Sequence, residues 1–225
     1  MNPLDTVKRS LIMFFLGLPL ILAIVTFFLG FGLGNAGLLW LSGGQLVFVP
    51  VVVTALHFVT GTIAKAFIGL KPFIEVFYSD IGQLVPSATL TGSTTEINVM
   101  PSYWMAHFAF FSSYIVCNAA AIYKLEAVSD TPEYMAKVQA RKSRAANIVI
   151  FTAMFFLVLS GIRLAFTKSE TVPGALVATG VFGLLGWGWY TASNTLGIRT
   201  MDIFGVAQQM VVTQDPSKPV TCVRT

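Results

Sequence analysis

Charged side chains are scarce in this sequence, making up 11% of its 225 residues, whereas a soluble domain carries about 25%. Four stretches contain no Asp, Glu, Lys or Arg at all: residues 10–64, 97–123, 145–162 and 171–198. A helix of roughly 20 apolar residues crosses the hydrocarbon core of a bilayer, and a soluble protein would interrupt such stretches with surface charges. The charge-free stretches therefore predict a polytopic membrane protein. They exclude a soluble enzyme, a disordered chain and a DNA-reading module.

Cysteine and the motifs of catalysis are also rare. The two cysteines, Cys117 and Cys222, lie in an apolar stretch and near the last residue, which excludes a disulfide framework. The sequence has no HExxH, GxSxG or phosphate-binding loop, and no predicted span holds Asp, Glu or Lys, on which coupled transport depends. We therefore expect no enzymatic activity, no catalytic residue, no cofactor and no metal site. The net charge of +4 is modest, and without a run of basic residues we expect no nucleic-acid partner.

The first apolar stretch, Ser10–Phe31, follows Lys8 and Arg9. It is too long for the apolar part of a cleavable signal peptide, so we expect an uncleaved signal anchor.

The second apolar stretch, Gly37–Gly61, contains the breaks Gly43, Gly44 and Pro50. It is either a full span with a break or a re-entrant pair of half-helices, which a membrane protein tolerates only where protein covers the broken backbone.

The distribution of Lys and Arg bears on this choice, because cytoplasmic loops carry an excess of them. If all five apolar stretches cross, eight of the 14 basic residues lie on the side opposite Lys8 and Arg9. If Gly37–Gly61 does not cross, the N-terminus, the 124–144 segment and the tail share one side, with ten basic residues against four. Charge therefore favours four spans, with five as the alternative.

The other three predicted spans are Ser102–Tyr123, Ala145–Phe166 and Pro173–Tyr190. Aromatic residues at their ends are typical of a membrane-interface belt, and we expect this role for Tyr103, Trp104, Tyr123, Trp187, Trp189 and Tyr190. Arg163, near the end of its span, is expected to reach the interface with its long side chain. Glycines in the last span are expected to let helices approach closely.

Three polar residues of the third span, His107, Tyr114 and Asn118, fall within about 40° of one another on a helix. We interpret them as an interhelical hydrogen-bond stripe that faces the bundle interior. The alternatives are the lining of a small transport or channel subunit, or an accessory subunit of a membrane redox complex. Such a subunit either holds one haem between His57 and His107 or simply packs beside another subunit.

Three further segments are predicted to face partners. The 62–102 segment is extramembrane, and Asp130 and Pro132 predict a helix start ahead of the next basic cluster. That cluster is expected to contact lipid headgroups or partners, and its members are Lys137, Arg141, Lys142 and Arg144. The tail is predicted to form an amphipathic, partner-facing helix, with Ile203, Phe204, Ala207, Met210 and Val211 on its apolar face.

Together these patterns predict an all-α fold: a polytopic helical membrane bundle of four spans, with five as the alternative. It has a re-entrant or broken second apolar stretch and a C-terminal amphipathic helix. The chain divides into a signal-anchor span with the broken stretch (1–61), an extramembrane segment (62–102), a three-helix membrane region with a basic loop at 124–144 (103–190) and an amphipathic tail (191–225).

Four sequence stretches carry a resemblance. They read PSYWMAHFAFF at Pro101–Phe111, continuing to Asn118 and Ala119, GWGWY at Gly186–Tyr190, RTMDIFGVA at Arg199–Ala207 and PVTCV at Pro219–Val223. In this combination the chain resembles a family of small multi-span membrane proteins of large nucleocytoplasmic DNA viruses, including those that infect algae. The resemblance covers roughly residues 100–225.

The resemblance implies a structural component of the membrane beneath an icosahedral capsid. Such a protein anchors the bilayer to minor capsid proteins and brings no enzymatic residues. We therefore expect membrane lipid and other virion or membrane-complex proteins as partners, with no evident small-molecule substrate. The expected location is the internal membrane of a virion or the host membrane from which it derives.

Overall fold

The structure, a computed structural model, describes residues 3–66, 102–125, 132–167, 171–197 and Ile203. Regular structure in these ranges is helical, and no strand occurs within them. The helices are α1 (Pro3–Gly32), α2 (Ala36–Gly43), α3 (Val49–Ala66), α4 (Tyr103–Lys124), α5 (Pro132–Ile162) and α6 (Val172–Thr195). A π-helical segment, Gly44–Phe48, joins α2 to α3, and a second, Arg163–Thr167, follows α5. The predicted all-α membrane bundle is confirmed.

The second apolar stretch is one rod made of α2, the first π segment and α3. The chain reaches it through a tight turn in which Gly34 has a φ of 60°, and Asn35 caps α2 by accepting a hydrogen bond from the Leu38 amide at 3.1 Å. Of the two alternatives for this stretch, the structure contains the single helix with a break and not the re-entrant pair of half-helices.

Within the described ranges, four helical segments are long and apolar enough to cross a membrane: Ala36–Ile63, Tyr103–Lys124, Met135–Ala165 and Val172–Thr195. The second apolar stretch is one of them by length and composition, so these four differ in one member from the four spans that the charge distribution favours. Helix α1, with 30 residues, is about 45 Å long, and its part Gly17–Gly32 is an apolar helix.

Two segment boundaries in the structure differ from those predicted. Residues 132–144 form the first turns of α5, so they are not a loop. Residues 62–66 belong to α3, and most of the predicted extramembrane segment lies outside the described residues.

Helix α4 is the centre of the bundle. Of its apolar window 67% is buried, against 11–28% in the other three candidate spans. It begins at a cap in which the Ser102 hydroxyl accepts a hydrogen bond from the Met105 amide at 3.2 Å. Helices α1, α2, α5 and α6 all contact it.

The helices alternate in direction along the chain. The start of α4 lies beside Phe15 of α1 and Arg163 after α5, both of which contact Trp104. The end of α4 lies beside the start of α5, where Lys142 sits over the ring of Tyr123. Helix α5 therefore runs antiparallel to α4. Helix α2 does the same, because its hydrogen bonds to α4 pair residues in reverse order, whereas the ring contacts of α6 with α4 pair residues in the same order. Helix α1 turns back sharply into α2 and so runs in the direction of α4.

Helices α4 and α6 pack backbone against backbone at Gly186. A Cβ added there would lie 2.5 Å from the carbonyl oxygen of Phe110. The expected close approach through glycine is therefore found at this position. Gly180, Gly183 and Gly188 of the same helix show no neighbouring atom within 4 Å of such a Cβ.

We predict that Gly186→Ala lowers the free energy of unfolding by about 1–3 kcal/mol, because the new methyl group must push α6 away from the α4 backbone. Chemical unfolding in detergent micelles measures this change. Gly180→Ala is the matched control, because it adds the same methyl group to α6 in open space, and we expect it to leave the free energy of unfolding unchanged or to raise it by up to about 1 kcal/mol through the higher helix propensity of alanine. Equal effects of the two substitutions would contradict the close contact.

Candidate functional site

The centre of the site is the backbone carbonyl of Gln45, which has no hydrogen-bond donor within its own helix. In an α-helix the carbonyl of Gln45 would accept from the amide of Val49, but that amide bonds to Gly44 instead, one residue further back. The next residue is Pro50, which has no N–H and whose ring conflicts with a regular α-helical turn. Pro50 thus explains the π segment and leaves the Gln45 carbonyl without a backbone donor.

His107 of α4 replaces that donor. Its Nε2 lies 2.8 Å from the Gln45 carbonyl oxygen, and its Nδ1 lies 3.0 Å from the carbonyl oxygen of Tyr103. A neutral imidazole carries one N–H, and Tyr103 already accepts the helical backbone bond one turn later. We therefore assign the proton to Nε2, which donates to Gln45. The imidazole is 4% exposed, so this bond is formed inside the bundle.

This geometry bears on the haem alternative. His57 lies twelve residues beyond Gln45, about 18 Å along the rod, while His107 lies against Gln45 itself. The two imidazoles are therefore too far apart to ligate one iron atom. Within the described residues there is also no group of three or more His, Cys, Asp or Glu side chains that could hold a metal ion.

An aromatic stack packs against the same π segment, Gly44–Phe48. We call this region, where α4 and α6 meet the π segment, the junction. Trp189 of α6 lies between Trp40 (ring centroids 4.5 Å apart) and Phe48 (4.7 Å), with Gly44 beneath it. The two indoles also exchange hydrogen bonds: Trp40 donates to the Trp189 carbonyl at 3.1 Å, and Trp189 donates to the Trp40 carbonyl at 3.0 Å. A Cβ on Gly44 would lie 2.6 Å from the ring of Phe110, so glycine is required for this packing.

The structure places all three residues of the polar stripe inside the bundle. Besides His107, Tyr114 donates to the carbonyl of Gly37 at 3.3 Å and packs edge-on against Tyr190 at 5.4 Å. Asn118 is fully buried one turn further along α4. His107 and Tyr114 therefore bond α4 to backbone groups of the α2 rod.

Several predicted interface anchors lie in the interior instead. Trp104 is 1% exposed and donates to the carbonyl of Phe15 at 3.0 Å. Arg163, also 1% exposed, lies with its guanidinium carbon 5.7 Å from the Trp104 ring centroid, so the prediction that it reaches the interface was wrong. Trp189 and Tyr190 pack within the core cluster, while Trp187 is exposed.

The basic cluster is divided by the fold. Arg141 is buried and donates to the carbonyl of Leu125 at the end of α4, so it holds two helices together and does not face lipid. Lys142 lies 5.6 Å from the ring centroid of Tyr123, Lys137 is half-buried and Arg144 is exposed. Headgroup or partner contact by Lys137, Lys142 and Arg144 stays a prediction.

Of the predicted tail helix, only Ile203 is described. It is 4% exposed within the core cluster, and its carbonyl accepts a hydrogen bond from the Asn35 amide group at 3.4 Å. The chain therefore returns to the α1–α2 turn at this point. Phe204, Ala207, Met210 and Val211 lie outside the described residues.

The sequence predicts a break around Gly44 and Pro50, but it does not show that the break leaves the Gln45 carbonyl without a helical donor. The available signal was a proline five residues after Gln45, which removes a donor from the helix. Nothing in the sequence linked that carbonyl to His107 or paired Trp40 with Trp189, because these contacts join residues 62 and 149 positions apart.

No protein-family model matches this chain, and no curated protein or solved structure matches it either. The described junction bonds helices to one another.

We predict that His107→Leu lowers the free energy of unfolding by about 1–3 kcal/mol, because the Gln45 carbonyl is then buried without a donor. In a Pro50→Ala background the cost should fall, since an alanine lets the rod return to α-helical bonding and the Val49 amide can reach Gln45. Unfolding in detergent measures both. Tyr114→Phe is the control: its hydrogen bond goes to Gly37, so its cost should be the same in both backgrounds. Equal costs of His107→Leu in the two backgrounds would refute the replacement-donor assignment.

Proposed function

We propose that the protein is an integral membrane structural and assembly protein that anchors its bilayer to protein partners. Following the resemblance of its C-terminal half, we propose that these partners are minor capsid proteins and that the bilayer is the internal membrane of a virion. The membrane character rests on four helices that are long and apolar enough to cross. The anchoring role rests on the shape of α5.

The length of helix α5 and the basic residues in its first turns carry the proposal. The helix runs without interruption for 31 residues, about 46 Å, whereas the hydrocarbon core is about 30 Å thick. Its first turns carry the basic residues, and Lys142 lies level with Tyr123 near the end of α4. The turn that carries Lys137 therefore extends past the end of the central helix, and Arg144 lies half a turn from this level on the side of the bundle. A membrane-spanning helix of this kind presents positive charge rigidly at the bilayer surface.

Positive charge at this end of α5 suits contact with both neighbours of a membrane anchor, namely the lipid headgroups and a partner protein. Basic residues beside a span are attracted to anionic headgroups by about 1 kcal/mol each, and an exposed arginine forms paired hydrogen bonds with carboxylates of a protein. Arg144 is exposed at this end of the bundle. Buried Arg141 fixes the same turn of α5 to the end of α4, so the basic surface is held in one orientation.

The packed interior supports a structural role over transport. The polar stripe that would line a channel is buried, and His107 and Tyr114 are bonded to backbone carbonyls of the rod. Large apolar side chains such as Phe151 and Leu157 face outward, 72% and 68% exposed, as expected for a lipid-facing surface. No feature of the described residues favours the channel alternative.

We predict that a photoreactive amino acid at position 144 forms adducts with protein partners in intact particles or native membranes. The matched control is the same amino acid at position 151, which lies two turns deeper on the same face of α5 and is also exposed. That position should yield lipid adducts. Mass spectrometry of the two sets of adducts distinguishes them.

Lipid adducts at both positions would overturn the anchoring proposal, because the basic surface would then meet headgroups only. A capsid protein in the position-144 adducts would support the viral assignment, and a redox or transport subunit there would refute it. Solute flux through proteoliposomes of the wild type that is lost in His107→Ala would favour a channel over an anchor.

A further inference from the structure

Pro19 interrupts the backbone hydrogen bonding of α1. The helix runs from Pro3 to Gly32 with this proline inside it. Because a proline has no N–H, the amide that would donate to the carbonyl of Phe15, four residues earlier, is missing. Trp104 of α4 supplies a donor in its place, since its indole Nε1 donates to the Phe15 carbonyl oxygen at 3.0 Å. The hydrogen bond that Pro19 removes within α1 is therefore replaced by one between two helices.

Trp104 thus does for α1 what His107 does for the rod. The two residues are three positions apart, so they lie on the same side of α4. His107 donates to the carbonyl of Gln45, whose helical donor is lost beside Pro50. One side of α4 therefore carries two donors, and each compensates for a proline in a different helix.

The indole of Trp104 is held in place by contacts outside α1. Its ring stacks on Phe108 at a centroid distance of 4.3 Å, and the guanidinium carbon of Arg163 lies 5.7 Å from the Trp104 ring centroid. From α1, the ring of Phe15 adds a contact at a centroid distance of 5.1 Å. The donor is therefore oriented by α4 and by the segment after α5, and α1 packs onto it.

The part of α1 before Pro19, which we call the arm (residues 3–18), has few other neighbours among the described residues. Phe15 lies beside Trp104, the second residue of α4, and the two helices run in the same direction. Residues 3–14 therefore extend about 18 Å past the start of α4. Further along, α1 packs on α2 and the π segment, and within the described ranges it has no extensive contact with α3. Phe15 and Leu18, which pack around Trp104, thus join the arm to the bundle.

We propose that Pro19 is a hinge in α1 and that Trp104 is the latch that holds the arm in one direction against the bundle. In the latched state the indole N–H of Trp104 donates to the Phe15 carbonyl, as the structure shows. In the released state this bond is broken, and the arm bends at Pro19 away from α4. The hinge requires only the helical bundle and does not depend on the anchoring function.

Both groups of the latch lie near the membrane surface, so release leaves neither without a partner. Phe15 comes six residues, about 9 Å, after Arg9, and Trp104 lies in the first turn of α4. A tryptophan at this depth donates to water or to lipid headgroups when it is free, and the freed carbonyl accepts from water. Because the arm carries Lys8 as well as Arg9, the latch sets where these two positive charges meet the membrane surface.

The test measures distances between pairs of nitroxide spin labels by pulsed electron paramagnetic resonance, on the full-length protein in lipid nanodiscs. Cys117 and Cys222 are first replaced by alanine. One pair of labels joins position 14 on the arm to position 184 on α6. A control pair joins position 28, beyond the hinge on α1, to the same position 184, and all three side chains are exposed. The latched wild type should give one narrow distance distribution for each pair.

Trp104→Phe should release the arm, because it keeps an aromatic ring but loses the indole N–H. We expect the ratio of displaced to latched distances for the 14–184 pair to rise about fivefold, the factor that one hydrogen bond supplies, while the 28–184 pair stays unchanged. In a Pro19→Ala background the same substitution should have no effect, because an alanine restores the backbone donor to Phe15. Trp189→Phe is the matched control: it also removes an indole bond between helices, to the Trp40 carbonyl, and should leave the arm in place.

If Trp104→Phe does not assemble, 3-benzothienylalanine at position 104 keeps the shape of the indole and removes only the N–H. Three results would overturn the proposal. An unchanged 14–184 distribution would mean that the indole bond does not hold the arm. Equal release in the Pro19→Ala background would mean that the proline is not the hinge. Displacement of the 28–184 pair as well would mean a general loss of packing and no hinge motion.

Discussion

The bundle depends on how one carbonyl, that of Gln45, is satisfied inside a membrane. A backbone carbonyl without a donor costs several kcal/mol in hydrocarbon, and Pro50 together with the π segment removes the donor that the rod itself would provide. Only a side chain from another helix can compensate. His107 does so at 2.8 Å, which fixes the height and rotation of α4 against the rod. The apolar effect drives helices together in water but not in lipid, so such specific bonds and close contacts determine which faces meet.

The remaining contacts follow from that alignment. With α4 set against the π segment, Gly44 lies where Trp189 and Phe110 pack on the backbone, and Trp40 and Phe48 enclose the Trp189 ring. Gly186 then brings α6 against Phe110. The stretches PSYWMAHFAFF and GWGWY, which carry the family resemblance, supply His107, Phe110, Gly186 and Trp189 to this junction. Their aromatic residues pack between helices.

The fold class and most helix positions could be predicted because they depend on local composition. Charge-free stretches of sufficient length specify membrane helices whatever their neighbours are, and the caps at Ser102 and Thr171 are local hydrogen bonds. The roles of Trp104, Arg141 and Arg163 could not be predicted in this way. Aromatic and basic residues near helix ends suit the membrane interface by type, yet here the ends of α4 are covered by α1 and α5, so these side chains are buried.

The sequence by itself determined that this chain is embedded in a bilayer and that its predicted spans lack carboxylates and lysines. It also determined that the helix around Gly44 and Pro50 must be irregular. These are properties of single segments, set by transfer free energy and by the missing proline N–H. The tertiary structure decided the rest. It kept the irregular segment as one rod, placed His107 as the hydrogen-bond donor to the Gln45 carbonyl, and buried several of the expected interface residues in the core. Each depends on which helices become neighbours, and that is a matter of long-range packing that no local pattern encodes.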